Sequence, residues 1–384
     1  MLSQAALPFD LSMHESLDCG CCVRSAKTRA GRQRARKRAA VACLIGAALG
    51  ICIEALAVAA DPKTNDRDAN KWCGTFSFVL ENDLFGNLDK HYTNGVRASC
   101  LSTPRNVPDL VRGGAALFPG MGRDSILAVE YALGQSIYTP GDITRPVPDP
   151  TDRPYAGWLY FSLGVTAATY APGERNMDQV NQLDQLSVSL GLVGPAAKAG
   201  ETQDLVHRII DADRPQGWDH QLKNEPGVVL EYHHTWQFAL SQKLNHARFD
   251  VAPYVGGALG NVFTYLDGGA TVRFGPNLPD DYGPPRISPS LPGSGYFEQK
   301  NGFGWYFFAG AGARVVVHNI FLDGNTFRDG PSVDKLPLVG DAQAGLVFAW
   351  PSVSVAYTHV FRTREFVGQD HGDQFGAVSV SIRF

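Results

Sequence analysis

Ala377-Val378-Ser379-Val380-Ser381-Ile382-Arg383-Phe384 places a large apolar side chain on every second position and small or polar ones between, up to an aromatic residue. Successive side chains of a β-strand point to opposite faces, so this stretch reads as a strand with one greasy and one polar face. The same period recurs in Leu186, Val188, Leu190 and Leu192 against Gln185, Ser187 and Ser189, and in Phe76, Phe78 and Leu80 against Thr75, Ser77 and Glu81. A barrel wall in a membrane needs this pattern, because backbone groups must pair between closed strands while alternate side chains meet hydrocarbon. A soluble sandwich alternates too; an export signal, Phe384 and the even strand count tilt the choice. Twelve segments are expected as strands: 73–82, 92–102, 125–137, 156–168, 183–193, 228–240, 248–259, 262–274, 304–317, 338–349, 352–361 and 375–384. The expectation is an all-β, twelve-stranded antiparallel transmembrane β-barrel with a short helix in one long extracellular loop.

The export signal lies upstream. Arg32, Arg34, Arg36, Lys37 and Arg38 precede an apolar run from Ala39 to Ala60 that contains Ala57-Val58-Ala59 just before Asp61. A charged flank, a hydrophobic segment and small residues at a cleavage point describe a signal peptide, and Glu54 interrupts the run too early for a membrane anchor. Residues 1–60 are therefore expected to be an N-terminal extension and signal peptide that is removed, with Met13 as another candidate start, and residues 61–384 to form the barrel. Removal takes five of the seven cysteines, leaving Cys73 and Cys100 near the ends of the first hairpin, where an oxidising compartment allows a disulfide. It also leaves 26 Lys and Arg against 34 Asp and Glu, an acidic balance that disfavours a nucleic-acid partner.

With both chain ends in the periplasm, residues 83–91, 138–155 and 194–227 gather at the extracellular rim. The connections at 103–124 and 275–303 then fall on the periplasmic side, where turns are usually short, and sit awkwardly with this register.

The unusual chemistry is in the rim loops. Glu81-Asn82-Asp83-Leu84-Phe85-Gly86 is followed by Asp89 and by Tyr92-Thr93-Asn94-Gly95. Carboxylate and amide oxygens beside a turn can hold a hard cation or orient water; the same residues also make an ordinary polar turn. Alternation places Asn82 on the outward side with Phe76, Phe78 and Leu80, and Asp83 on the other unless a bulge intervenes. In the loop 194–227, Glu201 to Asp211 reads as a short helix with Leu205, Val206, Ile209 and Ile210 as its apolar stripe. Gln203, His207 and Asp211 share another face at i, i+4 spacing, so that a carboxylate could orient the imidazole of a general base; a plain surface histidine is the alternative.

These residues together resemble the lipid A 3′-O-deacylase family of outer-membrane barrels. The resemblance rests on Asn82-Asp83, Tyr92-Thr93-Asn94-Gly95, Ile137-Tyr138-Thr139-Pro140, Asp152-Arg153-Pro154-Tyr155-Ala156-Gly157-Trp158, and Gly194-Pro195 with His207-Arg208-Ile209-Ile210 and Gly217-Trp218. It implies a bacterial outer-membrane location, an active site on the extracellular side, a lipid A or lipopolysaccharide substrate, a monomer, and calcium-dependent hydrolysis of the 3′-acyloxyacyl ester. By the same resemblance His207 is the base that activates water, Asn82 and Asp83 are the catalytic pair that holds Ca2+, and Thr93 is the hydroxyl beside them. Gln203 and Asp211 would support His207. The family's basic pair after the third strand is reduced here to Thr144-Arg145-Pro146, which leaves Arg145 to contact a lipid A phosphate; Arg153 is either a second substrate contact or a structural residue. A phospholipase of the same membrane, or a non-catalytic porin, are the alternative functions.

Other features read blandly. His233 and His234 are neighbours on one strand and point to opposite faces, so they share no metal. Leu322-Asp323-Gly324-Asn325 signals a turn, and Pro276 to Pro292, rich in proline and glycine, reads as a loop.

Overall fold

A computed structural model describes residues 72–83, 91–118, 120–122, 125–169, 180–244, 247–300 and 302–384. The expected signal peptide, and Leu84, Phe85, Gly86 and Asp89 of the first loop, lie outside the described residues. The strands are β1 (Thr75–Asn82), β2 (His91–Leu101), β3 (Ile126–Thr139), β4 (Ala156–Thr169), β5 (Val180–Val193), β6 (Glu225–Leu244), β7 (Ala247–Gly260), β8 (Phe263–Pro276), β9 (Asp280–Asp281), β10 (Phe297–Glu298), β11 (Gly304–Asn319), β12 (Leu338–Ala349), β13 (Val353–Arg362) and β14 (Asp373–Arg383). All except β9 and β10 pair with their neighbours in one closed twelve-stranded barrel. The expected architecture is the observed one. The helices are α1 (Asp109–Ala115), α2 (Ala199–Ile210) and α3 (Ile320–Asp323), none long and apolar enough to cross a membrane.

Antiparallel pairing of β1 with β14, from Thr75 opposite Arg383 to Asn82 opposite Gly376, closes the wall. Inside that seam Ser77 and Ser381 share a 2.8 Å hydroxyl contact, while Phe76, Phe78, Val380 and Ile382 take the outer face. Outward positions elsewhere are exposed and apolar, among them Leu133, Phe161, Leu190, Leu230, Leu266, Phe307 and Phe361. Phe303, Phe348 and Trp350 cluster on the outside near the end where β1 starts and β14 finishes, as aromatic residues do at a membrane interface. His233 and His234 take opposite faces as expected, His233 beside Asp267 within the barrel and His234 beside Asp184 on the outer wall. Cys73 and Cys100 are joined in a disulfide that ties the start of β1 to the end of β2.

The lumen is filled. At the loop end, opposite the start of β1 and the end of β14, Tyr92, Tyr138, Trp158, Phe263, Phe321 and Phe375 form a buried aromatic lid, with Tyr138 stacked on Phe321 at 4.0 Å. The turn expected at Leu322–Asn325 is the end of α3, a single helical turn from Ile320 to Asp323 closed by Gly324 at φ 83°, a left-handed position that favours glycine. From the other end the connection 277–303 folds up into the barrel as a plug. It contains the β9–β10 hairpin and is held by Arg273 to Asp250 and Asp281, Arg362 to the Pro289 carbonyl, and Ser288 to Glu231. A loop was expected from Pro276 to Pro292; its polar and backbone groups instead find partners within the lumen.

The other long connection, 103–124, is explained in a different way. Its described part, with α1, lies as a strap on the outer wall. Val107, Ala115 and Met121 pack there on Leu127, Val129 and Ala167. Thus the two connections that sat awkwardly with the register are a plug and a strap, and the strand order needs no change.

Candidate active site

Strand β1 ends at Asn82, paired with Asn94 of β2 and Gly376 of β14. Between Tyr92 and Asn94 the β2–β3 register shifts, so Thr93 is an extra residue, a β-bulge. A bulge re-aims side chains that strict alternation would separate. Here it lets Thr93 join Asn94 and Asn82 at one cleft, with Thr93 Oγ1 2.7 Å from Thr139 Oγ1 and Asn82 Nδ2 donating to the Thr93 carbonyl at 3.0 Å. That bond turns the Asn82 amide oxygen away from the carbonyl. Asp83, just past the end of the strand, lines the same cleft and is buried. The expectation that Asn82 and Asp83 straddle the wall is therefore corrected: once the ladder stops, alternation no longer governs Asp83.

Helix α2 closes the cleft from outside. A Cβ added at Gly157 of β4 would lie 2.4 Å from the Ala199 methyl, and Gln135 Nε2 donates to the Ala197 carbonyl at 2.7 Å. Gln135 and Ile137 have the parity of exposed Leu133, so the helix sits on the outer wall. It lies there with Gln203 and His207 turned toward the barrel and Leu205 and Ile209 turned away. His207 Nδ1 lies 2.5 Å from the Asp213 carbonyl oxygen. A carbonyl only accepts, so Nδ1 carries a proton, and in the neutral ring the lone pair is then on Nε2. This main-chain contact holds the nitrogen that Asp211 was expected to orient; Asp211 itself is exposed and ends the helix with φ 54°. Gln203 is fixed by Trp218, whose Nε1 donates to its Oε1 at 2.8 Å, and the buried Gln203 Nε2 has no hydrogen-bond partner among the described residues. The cleft thus collects an imidazole, a carboxylate, an unspent amide donor and a hydroxyl on the outer side of a closed wall.

A family model described as outer membrane protein LpxR matches residues 44–384. The chain belongs to the LpxR outer membrane protein family. LpxR from Salmonella typhimurium is similar in fold, with a TM-score of 0.64 at 21% identity over 81% of this chain and 100% of that one. The translocator domain of autotransporter NalP from Neisseria meningitidis (TM-score 0.40, 11% identity, 91% of this chain and 100% of that one) and the KdgM porin (0.33, 7%, 81% and 99%) share only general barrel character. No curated protein matches the chain. Membership in the LpxR family places this barrel in the outer membrane.

The remaining expected residues of this LpxR-family barrel divide. Arg153 is buried at 1% exposure, bonded to Glu365 Oε2 at 2.7 Å and stacked over Tyr138 and Phe366. These contacts give it the structural one of its two expected roles, tying the loop 140–155 to the loop 363–372. Burial would raise the Glu365 pKa, but the charges of Arg153, Arg362 and Arg314 outweigh it and hold that carboxyl at about 2. Arg145 is half exposed, pairs with Asp149 at 3.1 Å and borders a groove with Asp370 and His371 that is separate from the cleft. Sequence reading missed the hydrogen bond from Trp218 to Gln203, the Asp213 carbonyl, and Asn94, Ile137, Val206 and Ile210 as cleft-lining residues. The motif Gly217-Trp218 carried a signal for the first, since an indole N–H beside a buried amide needs an acceptor.

Among the described residues no group of three or more His, Cys, Asp or Glu side chains could hold a metal ion. Among the described residues the cleft offers one carboxylate, Asp83, beside amide, hydroxyl and main-chain oxygens. Apart from the His207 ring nitrogen these donors are oxygens, a set of low charge whose chemistry suits a hard cation such as Ca2+.

Proposed function

We propose that this protein is a calcium-dependent lipid A 3′-O-deacylase acting on the outer leaflet, with the loop end of the barrel facing the cell exterior. The observation that carries the reading is His207, with Nδ1 held by the Asp213 carbonyl, over Asn82, Asp83 and Thr93 on the outside of the wall. A lipid ester arriving sideways from the leaflet meets these groups without entering the lumen. His207 Nε2 takes a proton from the water whose oxygen attacks the ester carbonyl. As the bond between that carbon and the sugar oxygen breaks, the imidazolium returns the proton to the departing oxygen, leaving an alcohol on lipid A and a free acyloxyacyl acid. Gln203 Nε2, aimed by Trp218, is placed to donate to the oxyanion that forms between these steps. Asp83 and Asn82 would hold Ca2+, which when bound supplies positive charge to polarise the ester carbonyl.

The porin alternative meets a lumen occupied by an aromatic lid and a plug. Mass spectra of lipid A from cells with and without the protein test the proposal, with loss of the 3′-acyloxyacyl unit expected. Intact lipid A after incubation with folded protein and calcium would overturn it, and fatty acid released from phospholipid alone would indicate the phospholipase instead. Asp83→Ala should raise the calcium concentration needed for half-maximal activity or remove activity; an unchanged titration would reject its ligand role.

A further inference from the structure

We propose that Arg286, inside the barrel, is a positioning residue for the cleft on the outside. The inference rests on the deacylase reading for its kinetic test but not for its structural basis. The tip of the plug reaches the two strands that carry the cleft residues, at the positions next to them. Arg286 Nε donates to Glu81 Oε1 at 2.8 Å, and the Ile287 backbone N–H donates to the same oxygen at 3.3 Å. Arg286 Nη1 donates to Gln343 Oε1 at 2.8 Å, which anchors the guanidinium to β12, separated from β1 by β14 and β13. Glu81 directly precedes Asn82, and it pairs with Gly95, which directly follows Asn94. A Cβ on Gly95 would lie 2.9 Å from Ile287 Cδ1, so the plug tip is also seated against β2 beside the bulge.

Glu81 and Asn82 form the last two rungs of the β1 ladder and point to opposite sides of the wall. Their side chains share a rigid strand segment, so fixing one from within fixes the other without. The Glu81 and Arg286 side chains are 1% and 3% exposed. A carboxylate buried to this degree needs its cation; removing Arg286 alone leaves an uncompensated charge, and the strand end must shift or admit water. Removing both charges relieves that demand. Orienting groups of this kind around a metal or catalytic site commonly change activity or metal affinity by about 10- to 100-fold.

The test uses the full chain, folded in detergent with a heat-modifiable barrel, as R286Q, R286K, E81Q and the double variant E81Q/R286Q. Deacylation kinetics in a calcium titration are expected to show a fall in kcat of roughly 10- to 100-fold for R286Q, a higher calcium requirement and an unchanged KM. R286K and the double variant are expected to recover much of the loss. Hydrogen–deuterium exchange of the peptide containing Val79–Asn82 should be faster in R286Q and return toward the unsubstituted rate in the double variant. Wild-type kinetics and exchange in R286Q would overturn the proposal, as would a double variant no better than R286Q. If R286Q does not fold, R286K and the double variant carry the same comparison. Absence of deacylation by the unsubstituted protein would refute the deacylase reading, and the exchange data would still decide the clamp.

Discussion

Helices α1 and α2 both lie on the outer wall of the barrel, at opposite ends, and present opposite chemistry to it. The strap that contains α1 packs Val107, Ala115 and Met121 against the wall while Leu110 and Leu117 face outward. Helix α2 turns Gln203 and His207 to the wall, with Val206 and Ile210 at the cleft beside them, and leaves Leu205 and Ile209 outward, 52% and 73% exposed. In water the second arrangement would be inverted, with the apolar stripe packed and the polar face free. Around a membrane barrel the surrounding medium is itself apolar, so outward leucines carry no penalty and burial of apolar surface cannot choose the packed face. Polar groups then decide by going where partners exist, and at the end of β1 and β2 the wall is polar. Beneath the described part of the strap the wall offers Leu127, Val129 and Ala167 instead, and the nearby Asp184 Oδ1 is already engaged by Tyr232 and His234. One helix is held as packing, the other as a site.

The largest effect that tests this contrast is expected from His207→Ala. Loss of a general base should lower deacylation by roughly 10²- to 10⁴-fold while the barrel keeps its heat-modifiable mobility on gels. Full activity would make α2 a packing helix like α1. Next comes Glu365→Gln, which strands the Arg153 guanidinium at the rim and should cost about 3–5 kcal/mol in urea unfolding. Because Arg153, Arg362 and Arg314, opposing burial, hold the folded-state pKa of Glu365 at about 2 against an ordinary 4.5, its contribution is fully present above the ordinary value. It is lost as pH falls through about 2, and unfolding profiles of the Gln variant should lack that part of the acid dependence. Met121→Ala in the strap should cost about 2 kcal/mol of stability with kcat unchanged; a fall in kcat would link the two ends of the barrel. The smallest change is expected from Trp218→Phe, which keeps the ring and removes the N–H that aims Gln203. A roughly tenfold fall in kcat, less than for outright loss of an oxyanion donor, should appear in steady-state assays with lipid A.

The wall was legible because its signal is local. Phe76, Phe78 and Leu80 alternate with Thr75, Ser77 and Glu81 whatever the rest of the chain does, and the closed barrel follows from twelve such segments. The site was legible in part. His207, Gln203, Asn82, Asp83 and Thr93 do converge, but the bulge at Thr93 has no signature in Tyr92-Thr93-Asn94-Gly95, and the contact at His207 Nδ1 comes from a main-chain oxygen that could belong to any residue. Arg153 could not be assigned from its neighbours because its partner, Glu365, is 212 positions away. The segment from Pro276 to Pro292 carries no period at all, so nothing in it announced that Arg286 would meet Glu81.

The sequence by itself determined which strands build the barrel wall, which of their faces meets lipid and which residue types are available for chemistry, since each depends on alternation or on side-chain identity over a few neighbours. Tertiary structure alone decided that α2 packs by its polar face, that the two long connections become a strap and a plug, and that Asn82 and Asp83 share one cleft. Those outcomes depend on where polar groups far apart in the chain find partners once the barrel has closed, and no local pattern encodes that distance.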